Sequence, residues 1–155
     1  MPRLTFKHLV FGFIAGAIAM VTVHELINFA ILQAGVPFAR TPWSVDPVPV
    51  KAGLTELVTL PRIVVDALIG GLWGFIFALI LGPVPIGSMT LKGAVLGLVI
   101  PGVLGALILC PVIRGEEILL GNDGQAIAYT LLMAAGFGAA TAWLYGFMAE
   151  GFRLP

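Results

Sequence analysis

The chain has 155 residues, of which 59% are hydrophobic and 10% are charged, and its formal net charge is zero. Soluble domains carry about 25% charged residues, so this composition excludes an ordinary water-soluble domain and predicts an integral membrane protein. The balanced charge argues against nucleic acid as a partner, and the single cysteine, Cys110, excludes an intramolecular disulfide. The length predicts one transmembrane domain over residues 1–155, without a sizeable soluble domain.

The first predicted element is a long apolar run that follows the short basic segment MPRLTFKH. Ala17 and Ala19 have the spacing that signal peptidase prefers, but the apolar run continues well past them to Leu32. A run of this length is typical of a membrane span rather than of a cleaved signal peptide. The sequence therefore predicts an uncleaved transmembrane helix over residues 9–32.

The next segment, 33–61, is rich in proline and carries four charged residues, which excludes a further span. We expect an extended loop that lies over one face of the membrane, with Trp43 as an interfacial anchor. Within this loop, the stretch LTELVTL predicts a short surface helix that ends at Pro61.

Three more apolar runs predict helices over residues 62–81, 91–112 and 126–148. A turn rich in Gly and Pro joins the first two of these helices, and an acidic loop joins the last two. Pro101, in the middle of the third helix of the chain, predicts a kink there. The predicted fold class is all-α, a polytopic membrane protein with a bundle of four transmembrane helices.

Four spans place both termini on the same side of the membrane. Lys and Arg residues are divided equally between the two sides, so their count does not decide the orientation. The first helix usually dominates orientation, and its leading end is basic. We therefore expect both termini in the cytoplasm and the loop 33–61 on the outer side.

Each predicted helix carries a strip of small residues at intervals of four, which lie on one face of a helix. Small residues at this spacing let two helix backbones approach closely, so we expect the strips to be helix-packing surfaces. The strips are Gly12, Gly16, Met20, His24 and Asn28; Asp66, Gly70, Gly74, Ala78 and Gly82; Gly93, Gly97, Pro101 and Gly105; and Thr130, Ala134, Gly138, Ala142 and Gly146.

The two halves of the chain also share short patterns, which indicates a duplicated helical hairpin with both copies in the same orientation. Chance similarity among apolar residues is the alternative explanation. The matching patterns are Lys7-x-x-Val10-x-Gly12 with Lys92-x-x-Val95-x-Gly97, and Gly70-x-x-Trp73-Gly74 with Ala134-x-x-Phe137-Gly138.

Polar side chains within apolar runs are the usual indicators of a functional site. Four of them, His24, Glu25, Asn28 and Asp66, are expected to form one intramembrane cluster near the outer face. His24 lies ~22 Å into the first helix, and Asp66 enters the second helix from the same side. Two hypotheses stay open: a hydrogen-bonded lock in which His24 bonds to Asp66 or Glu25, and a proton relay through His24 and Asp66.

Cofactor chemistry has little support in the sequence. A metal site needs three or more well-placed ligands, and His24 with two carboxylates forms no recognised pattern, so no metal is expected. A haem held by this chain alone is disfavoured because the other histidine, His8, lies at the opposite end of the same helix. A haem shared with a partner stays open. The sequence has no Ser-His-Asp spacing, P-loop or dinucleotide fingerprint, so we expect no catalytic residues and no enzyme.

Three short motifs resemble those of the poorly characterised small four-helix inner-membrane proteins of bacteria. The resemblance covers most of the chain and implies a fold and a location, but no activity. The motifs are Gly71-Leu72-Trp73-Gly74-x-x-Phe77, Leu91-Lys92-Gly93-x-x-x-Gly97 and Trp143-Leu144-Tyr145-Gly146.

Two functional classes are favoured by these features. The first is a non-catalytic subunit, or an assembly or stabilising factor, of a larger membrane protein complex, with lipids and other integral membrane subunits or further copies of itself as partners. The second is a small oligomeric transporter or channel that uses His24, Glu25 and Asp66 as a polar lining. A redox or metal protein is a third class with weaker support.

Overall fold

A computed structural model describes residues 5–36, 39–52, 55–81, 89–115 and 117–150. Within these residues, four helices are long and apolar enough to cross a membrane. The helices are α1 (Phe6–Gln33), α2 (Arg62–Leu81), α3 (Met89–Ile113) and α4 (Gly124–Ala149). The prediction of an all-α fold class is confirmed.

The observed helix ends lie close to the expected ones. α2 occupies the expected residues, and the other three helices extend up to three residues beyond them. α4 begins after Asp123, whose side chain accepts hydrogen bonds from the backbone N–H groups of Gln125 and Ala126, at 2.9 and 3.1 Å. This N-cap satisfies amide groups that have no partner within the first turn. Gly82, which ends the second strip of small residues, lies outside the described residues.

The prediction of a surface helix in LTELVTL is wrong. Thr55–Pro61 is a β-strand, β2, which pairs antiparallel with β1, Pro47–Ala52. Val50 lies opposite Val58 in this hairpin. Val and Thr favour strands, and a two-stranded hairpin tolerates the prolines of β1 because both of its strands are edges. The strand depends on pairing with PVPVKA, and the helix prediction did not include this pairing.

α1 and α2 cross with their backbones in direct contact, at the glycines of the first two strips. A Cβ atom added to Gly16 would overlap the carbonyl oxygen of Gly70 and would lie 2.8 Å from the Cα of Gly74. A Cβ atom added to Gly74 would overlap the carbonyl oxygen of Gly12. Approach this close is available only to glycine, which is why small residues line such crossings.

α3 and α4 cross in the same way. A Cβ atom added to Gly97 would overlap the carbonyl oxygen of Ala134 and would lie 2.8 Å from the Cα of Gly138. A Cβ atom added to Gly93 would overlap both the Gly138 carbonyl oxygen and the methyl group of Ala142. α1 with α2 and α3 with α4 therefore form two tightly packed helical hairpins.

The contacts of the two hairpins correspond to each other. Gly12 meets the carbonyl group of Gly74, and Gly93 meets the carbonyl group of Gly138. By its contacts, Gly12 therefore corresponds to Gly93, whereas the sequence patterns matched it with Gly97, one helical turn further along. The hairpins share a packing arrangement, but the register between them differs by one turn from the one that the sequence patterns indicate.

The two hairpins pack against each other mainly through α1 and α4. Ala15 and Ala19 of α1 are fully buried in this interface. The rings of Phe77 on α2 and Phe137 on α4 fill the space beside them, with centroids 6.1 Å apart. Aromatic rings in this tilted arrangement contribute more than their buried area alone.

Two segments of these helices are wound as π-helix, Met20–His24 in α1 and Leu98–Leu109 in α3. The second contains Pro101, which has no N–H and cannot donate to the α-helical ladder. The kink expected at Pro101 is therefore accommodated as a stretch of wider turns, a form that is rare and frequently found at functional sites.

The wider turns change which residues of α3 face its neighbours. A Cβ atom added to Gly102 would lie 3.0 Å from the methyl group of Ala134, so Gly102 continues the contact with α4. Gly105 faces a different helix, and its Cβ would lie 3.1 Å from the Trp73 ring of α2. The third strip therefore turns away from α4 after Gly97, because intervals of four hold only for regular α-helix.

We predict that Gly74→Ala lowers the free energy of unfolding by about 1–3 kcal/mol, because the added methyl group must separate α1 from α2. Gly74→Leu should prevent a stable bundle. The measurement is reversible unfolding in mixed micelles.

Gly146→Ala is the matched control for this prediction. A Cβ atom there would lie 3.6 Å from its nearest neighbour, the Cγ of Met89, which is an ordinary contact, so the parent stability should be retained. A Gly74→Leu protein that expresses and unfolds like the parent would show that the glycine crossing is not required.

Candidate functional site

The polar residues of the helices meet at one end of the bundle, where the chain leaves α1 and enters α2. Glu25 follows the π-helical segment of α1, and Asp66 lies in the second turn of α2. Between these helices, the connecting segment brings Arg40 and Trp43 against both of them. We call Glu25, Arg40, Trp43 and Asp66 the Arg40 clamp.

Glu25 is the centre of this clamp. Its side chain is almost completely buried, with 2% of its surface exposed. Its Oε2 accepts a hydrogen bond of 3.0 Å from the backbone N–H of Trp43. Its Oε1 lies 3.2 Å from His24 Nδ1 and 3.4 Å from Arg40 Nη2. The carboxylate thus has a partner at each oxygen, as a buried charge requires.

Arg40 joins the two acidic residues. Its Nη2 atom lies 3.4 Å from Glu25 Oε1 and 3.5 Å from Asp66 Oδ2, so one guanidinium group faces both carboxylates. A guanidinium group suits this position because it is always charged and presents several donors in a plane. The Arg40 side chain is 40% exposed, so solvent screening reduces the strength of both ion pairs.

Trp43 fixes the connecting segment to α1 through side chain and backbone together. Its indole Nε1–H donates a hydrogen bond of 2.8 Å to the carbonyl oxygen of Val21, within the π-helical segment. Its ring packs against Phe29 at 6.1 Å between centroids. Trp43 has a φ of 49°, a left-handed conformation that is unfavourable for a bulky residue. These contacts and the hydrogen bond to Glu25 offset that strain.

The same segment caps the start of α2. The backbone N–H groups of Arg62 and Ile63 donate to the carbonyl oxygens of Asp46 and Ser44, each at 3.0 Å. The first amide groups of a helix have no partner inside the helix, so these bonds complete the first turn. One connecting segment is therefore bonded to α1 through Glu25 and to α2 through its first turn.

His24 and Asn28 lie beside the clamp. Asn28 is buried, and its Nδ2 donates a hydrogen bond of 3.0 Å to the carbonyl oxygen of Arg40. His24 bonds to Glu25 rather than to Asp66. Asp66 is instead paired with Arg40, and was expected to reach solvent, the bundle interior or Arg62. The four predicted residues thus come together, with Glu25 and Arg40 between His24 and Asp66.

A cavity of about 290 Å³ adjoins the clamp between the four helices. Its wall is mainly apolar and includes both π-helical segments. His24, Asn28 and Arg40 form its polar end beside the clamp, and Thr130 of α4 is a further polar residue of its wall. Glu25 and Asp66 are absent from the described residues that line it, because their carboxylates turn toward Arg40 and Trp43.

Arg40 and Trp43 are the site residues that the sequence reasoning missed. Arg40 was treated as one of several loop charges, and Trp43 as an interfacial anchor. A usable signal was present, since two acidic residues within apolar runs require a cation. Arg40 lies in the loop that joins those two runs.

The remaining candidates are distributed as follows. The glycines Gly12, Gly16, Gly70, Gly74, Gly93, Gly97 and Gly138 lie at the two crossings, and Gly146 contacts the Met89 side chain at ordinary distance. His8 hydrogen-bonds to Thr5 at the other end of α1. Across the described ranges, no three His, Cys, Asp or Glu side chains are grouped in a way that could hold a metal ion.

Comparisons of the chain with protein-family profiles, with curated proteins and with solved structures found no match. The resemblance to small four-helix inner-membrane proteins of bacteria therefore stays a prediction that rests on its three motifs.

We predict that Arg40→Gln lowers the free energy of unfolding by about 2 kcal/mol, because it leaves the buried Glu25 carboxylate without its cation. Lys92→Gln removes a cation that has no ion pair among the described residues, and should change stability by less than about 0.5 kcal/mol. Equal effects of the two substitutions would contradict the role of the clamp.

Substitutions of Asp66 separate a structural from a proton-carrying role. If Asp66 is structural, Asp66→Asn should retain most of the stability because an amide can still accept from Arg40, whereas Asp66→Leu should lose more. The measurement is the unfolding midpoint of each variant. Loss of function in Asp66→Asn with unchanged stability would instead favour a proton relay.

Proposed function

We propose that the chain is an integral protein of the bacterial inner membrane, with four spans and both termini in the cytoplasm. α2, with 20 residues, is ~30 Å long, which matches the hydrocarbon thickness of a bilayer. Exposed apolar side chains on the outward helix faces support insertion. Examples are Val10, Ile14 and Ile18 on α1, Leu72 and Leu79 on α2, and Leu132 and Trp143 on α4.

This location has a direct test. A reporter that fluoresces only in the cytoplasm, fused after Pro155, should be active, and the same reporter inserted after Glu117 should be inactive. Both fusion proteins should stay with the membrane after washing at high pH. Release into the wash, or the opposite reporter pattern, would contradict the proposed topology.

We further propose that the protein is a non-catalytic subunit, or an assembly or stabilising factor, of a larger membrane protein complex. The observation that supports this most is the mutual pairing of Glu25, Arg40 and Asp66. Intramembrane ionisable groups commonly serve ion or proton pathways. Here Glu25, Arg40 and Asp66 hold the segment that connects α1 to α2 against both helices. Their role in this proposal is therefore structural.

The β-hairpin formed by β1 and β2 supplies a second supporting observation. Val45, Leu57 and Val58 are 73%, 64% and 47% exposed on or beside it. In the proposed topology these apolar side chains lie beyond the ends of α1 and α2, on the outer side of the membrane. Exposed apolar side chains in such a place are available for contact with other proteins or with the membrane surface. We propose that this hairpin contacts a partner subunit.

The alternative proposal, a small oligomeric transporter or channel, has one observation in its favour. The cavity beside the clamp has a polar end that includes His24. Of the three residues expected to line a transport path, however, Glu25 and Asp66 are engaged by Arg40. A path that excludes both carboxylates provides little selectivity for ions, so the subunit proposal is preferred.

Purification in a mild detergent followed by native mass spectrometry tests the proposal. A stoichiometric complex with a different integral membrane protein is the expected result, and Leu57→Lys should reduce recovery of that partner about tenfold. Glu117→Lys, on the other outer loop, is the matched control and should retain it.

The same preparation discriminates between the functional classes. A homo-oligomer that transports a solute in vesicles would replace the proposal with the transporter alternative. A Soret band in the absorption spectrum of the purified complex, lost on His24→Gln, would favour a haem shared with the partner.

A further inference from the structure

The cavity beside the Arg40 clamp has the features of a ligand site. It is bordered by residues of all four helices, has a volume of about 290 Å³ and is partly open. Ligand cavities usually measure about 300–1,000 Å³, with apolar walls and a few convergent polar groups. Its apolar wall includes Met20, Trp73, Pro101 and Phe137.

The geometry of α1 and α3 keeps this space open. Both π-helical segments, Met20–His24 and Leu98–Leu109, border the cavity. Gly105, in the second segment, lets the Trp73 ring approach α3 closely, since a Cβ atom there would lie 3.1 Å from that ring. Wider turns of this kind are frequently associated with binding sites.

His24 can supply a hydrogen-bond acceptor from the ring nitrogen that does not face Glu25. Its Nδ1 lies 3.2 Å from Glu25 Oε1, and because an ionised carboxylate can only accept, we assign the proton of that bond to Nδ1. In a neutral imidazole the other nitrogen, Nε2, is then an acceptor. His24 is among the residues that line the cavity.

Arg40 presents donors to the same place. Its Nη2 and the His24 Nδ1 contact the same oxygen atom, Glu25 Oε1, at 3.4 and 3.2 Å. The two side chains are therefore neighbours, and both line the cavity. The polar end of the cavity thus brings together His24, Asn28 and Arg40, and the guanidinium group of Arg40 has N–H donors beyond the one that faces Glu25 and Asp66.

The groups at the polar end of the cavity determine which charge and which functional group the head group of a ligand can carry. An anionic group would lie close to the carboxylates of Glu25 and Asp66, which already engage the guanidinium group of Arg40. A cationic group would face Arg40 itself. A neutral hydroxyl group satisfies both sides, because it donates to His24 Nε2 and accepts from Arg40.

We propose that this cavity binds a neutral amphiphile with a hydroxyl head group, which bonds to His24 and Arg40 while its hydrocarbon chain or ring packs among Met20, Trp73 and Phe137. The volume fits one head group and a short length of chain. The remainder of a longer molecule extends through the open side of the cavity.

The test uses the full chain in bilayer nanodiscs, labelled with ¹⁵N at its two histidines and titrated with 1-decanol. His8→Gln leaves a single histidine and assigns the His24 signals. A saturable shift of the His24 Nε2 resonance is expected with 1-decanol. No comparable shift is expected with 1-methoxydecane, which cannot donate, with decanoate, or with decylammonium.

Two variants distinguish the cavity from the general lipid surface. Ala106→Phe places a ring in the cavity and should abolish the saturable shift, whereas Leu104→Phe lies on an exposed face of the same helix and should preserve it. Equal or stronger binding of the ether, acid or amine would overturn the proposal, as would a shift that persists in Ala106→Phe.

A further variant keeps the test decisive if Ala106→Phe does not fold. His24→Gln should weaken the binding of radiolabelled 1-decanol about tenfold, which corresponds to the loss of about one hydrogen bond. Thr22→Ser, in the same π-helical segment but absent from the described cavity wall, is the matched control and should bind like the parent. Unchanged binding to His24→Gln would overturn the proposed role of His24.

Discussion

The burial of the Glu25 carboxylate is the constraint on which the clamp end of the bundle depends. A charge in an apolar helix is costly unless other groups replace its hydration, and an unpaired buried ion costs several kcal/mol. Here Arg40, the backbone of Trp43 and His24 replace that hydration. Because Arg40 also faces Asp66, the same solution ties the connecting segment to two helices. One acidic residue thereby contributes to holding the proline-rich connecting segment against both helices.

The packing of the rest of the bundle depends on glycines, which have no side chain, rather than on charged residues. Glycines bring the helices of each hairpin into backbone contact, and a methyl group at Gly16 or Gly97 would collide with the facing backbone. The hairpins then meet through small and aromatic residues of α1 and α4. Near the clamp, two π-helical segments replace this close packing with the cavity. The closely packed glycine crossings and the cavity thus lie at different depths along the helix bundle.

The sequence was sufficient for features that depend on composition and regular spacing. Long apolar runs indicated four helices, and the intervals of four anticipated Gly12, Gly16, Gly70 and Gly74 at one crossing. It was insufficient where contacts between different segments decide the conformation. The strand Thr55–Pro61 depends on its pairing partner, and the clamp depends on a loop residue. The π-helical turns change which residues of α3 face its neighbours. Residue spacing could not predict this, because intervals of four hold only for a regular α-helix.

A double-mutant cycle between Glu25 and Arg40 tests the central claim most directly. The free energy of unfolding in bilayers would be measured for the parent, Glu25→Gln, Arg40→Gln and the double variant. If the buried carboxylate organises the clamp end of the bundle, the two substitutions should be coupled by about 1.5 kcal/mol or more, and the double variant should be more stable than additivity requires. Additive effects, with coupling below about 0.3 kcal/mol, would contradict the account.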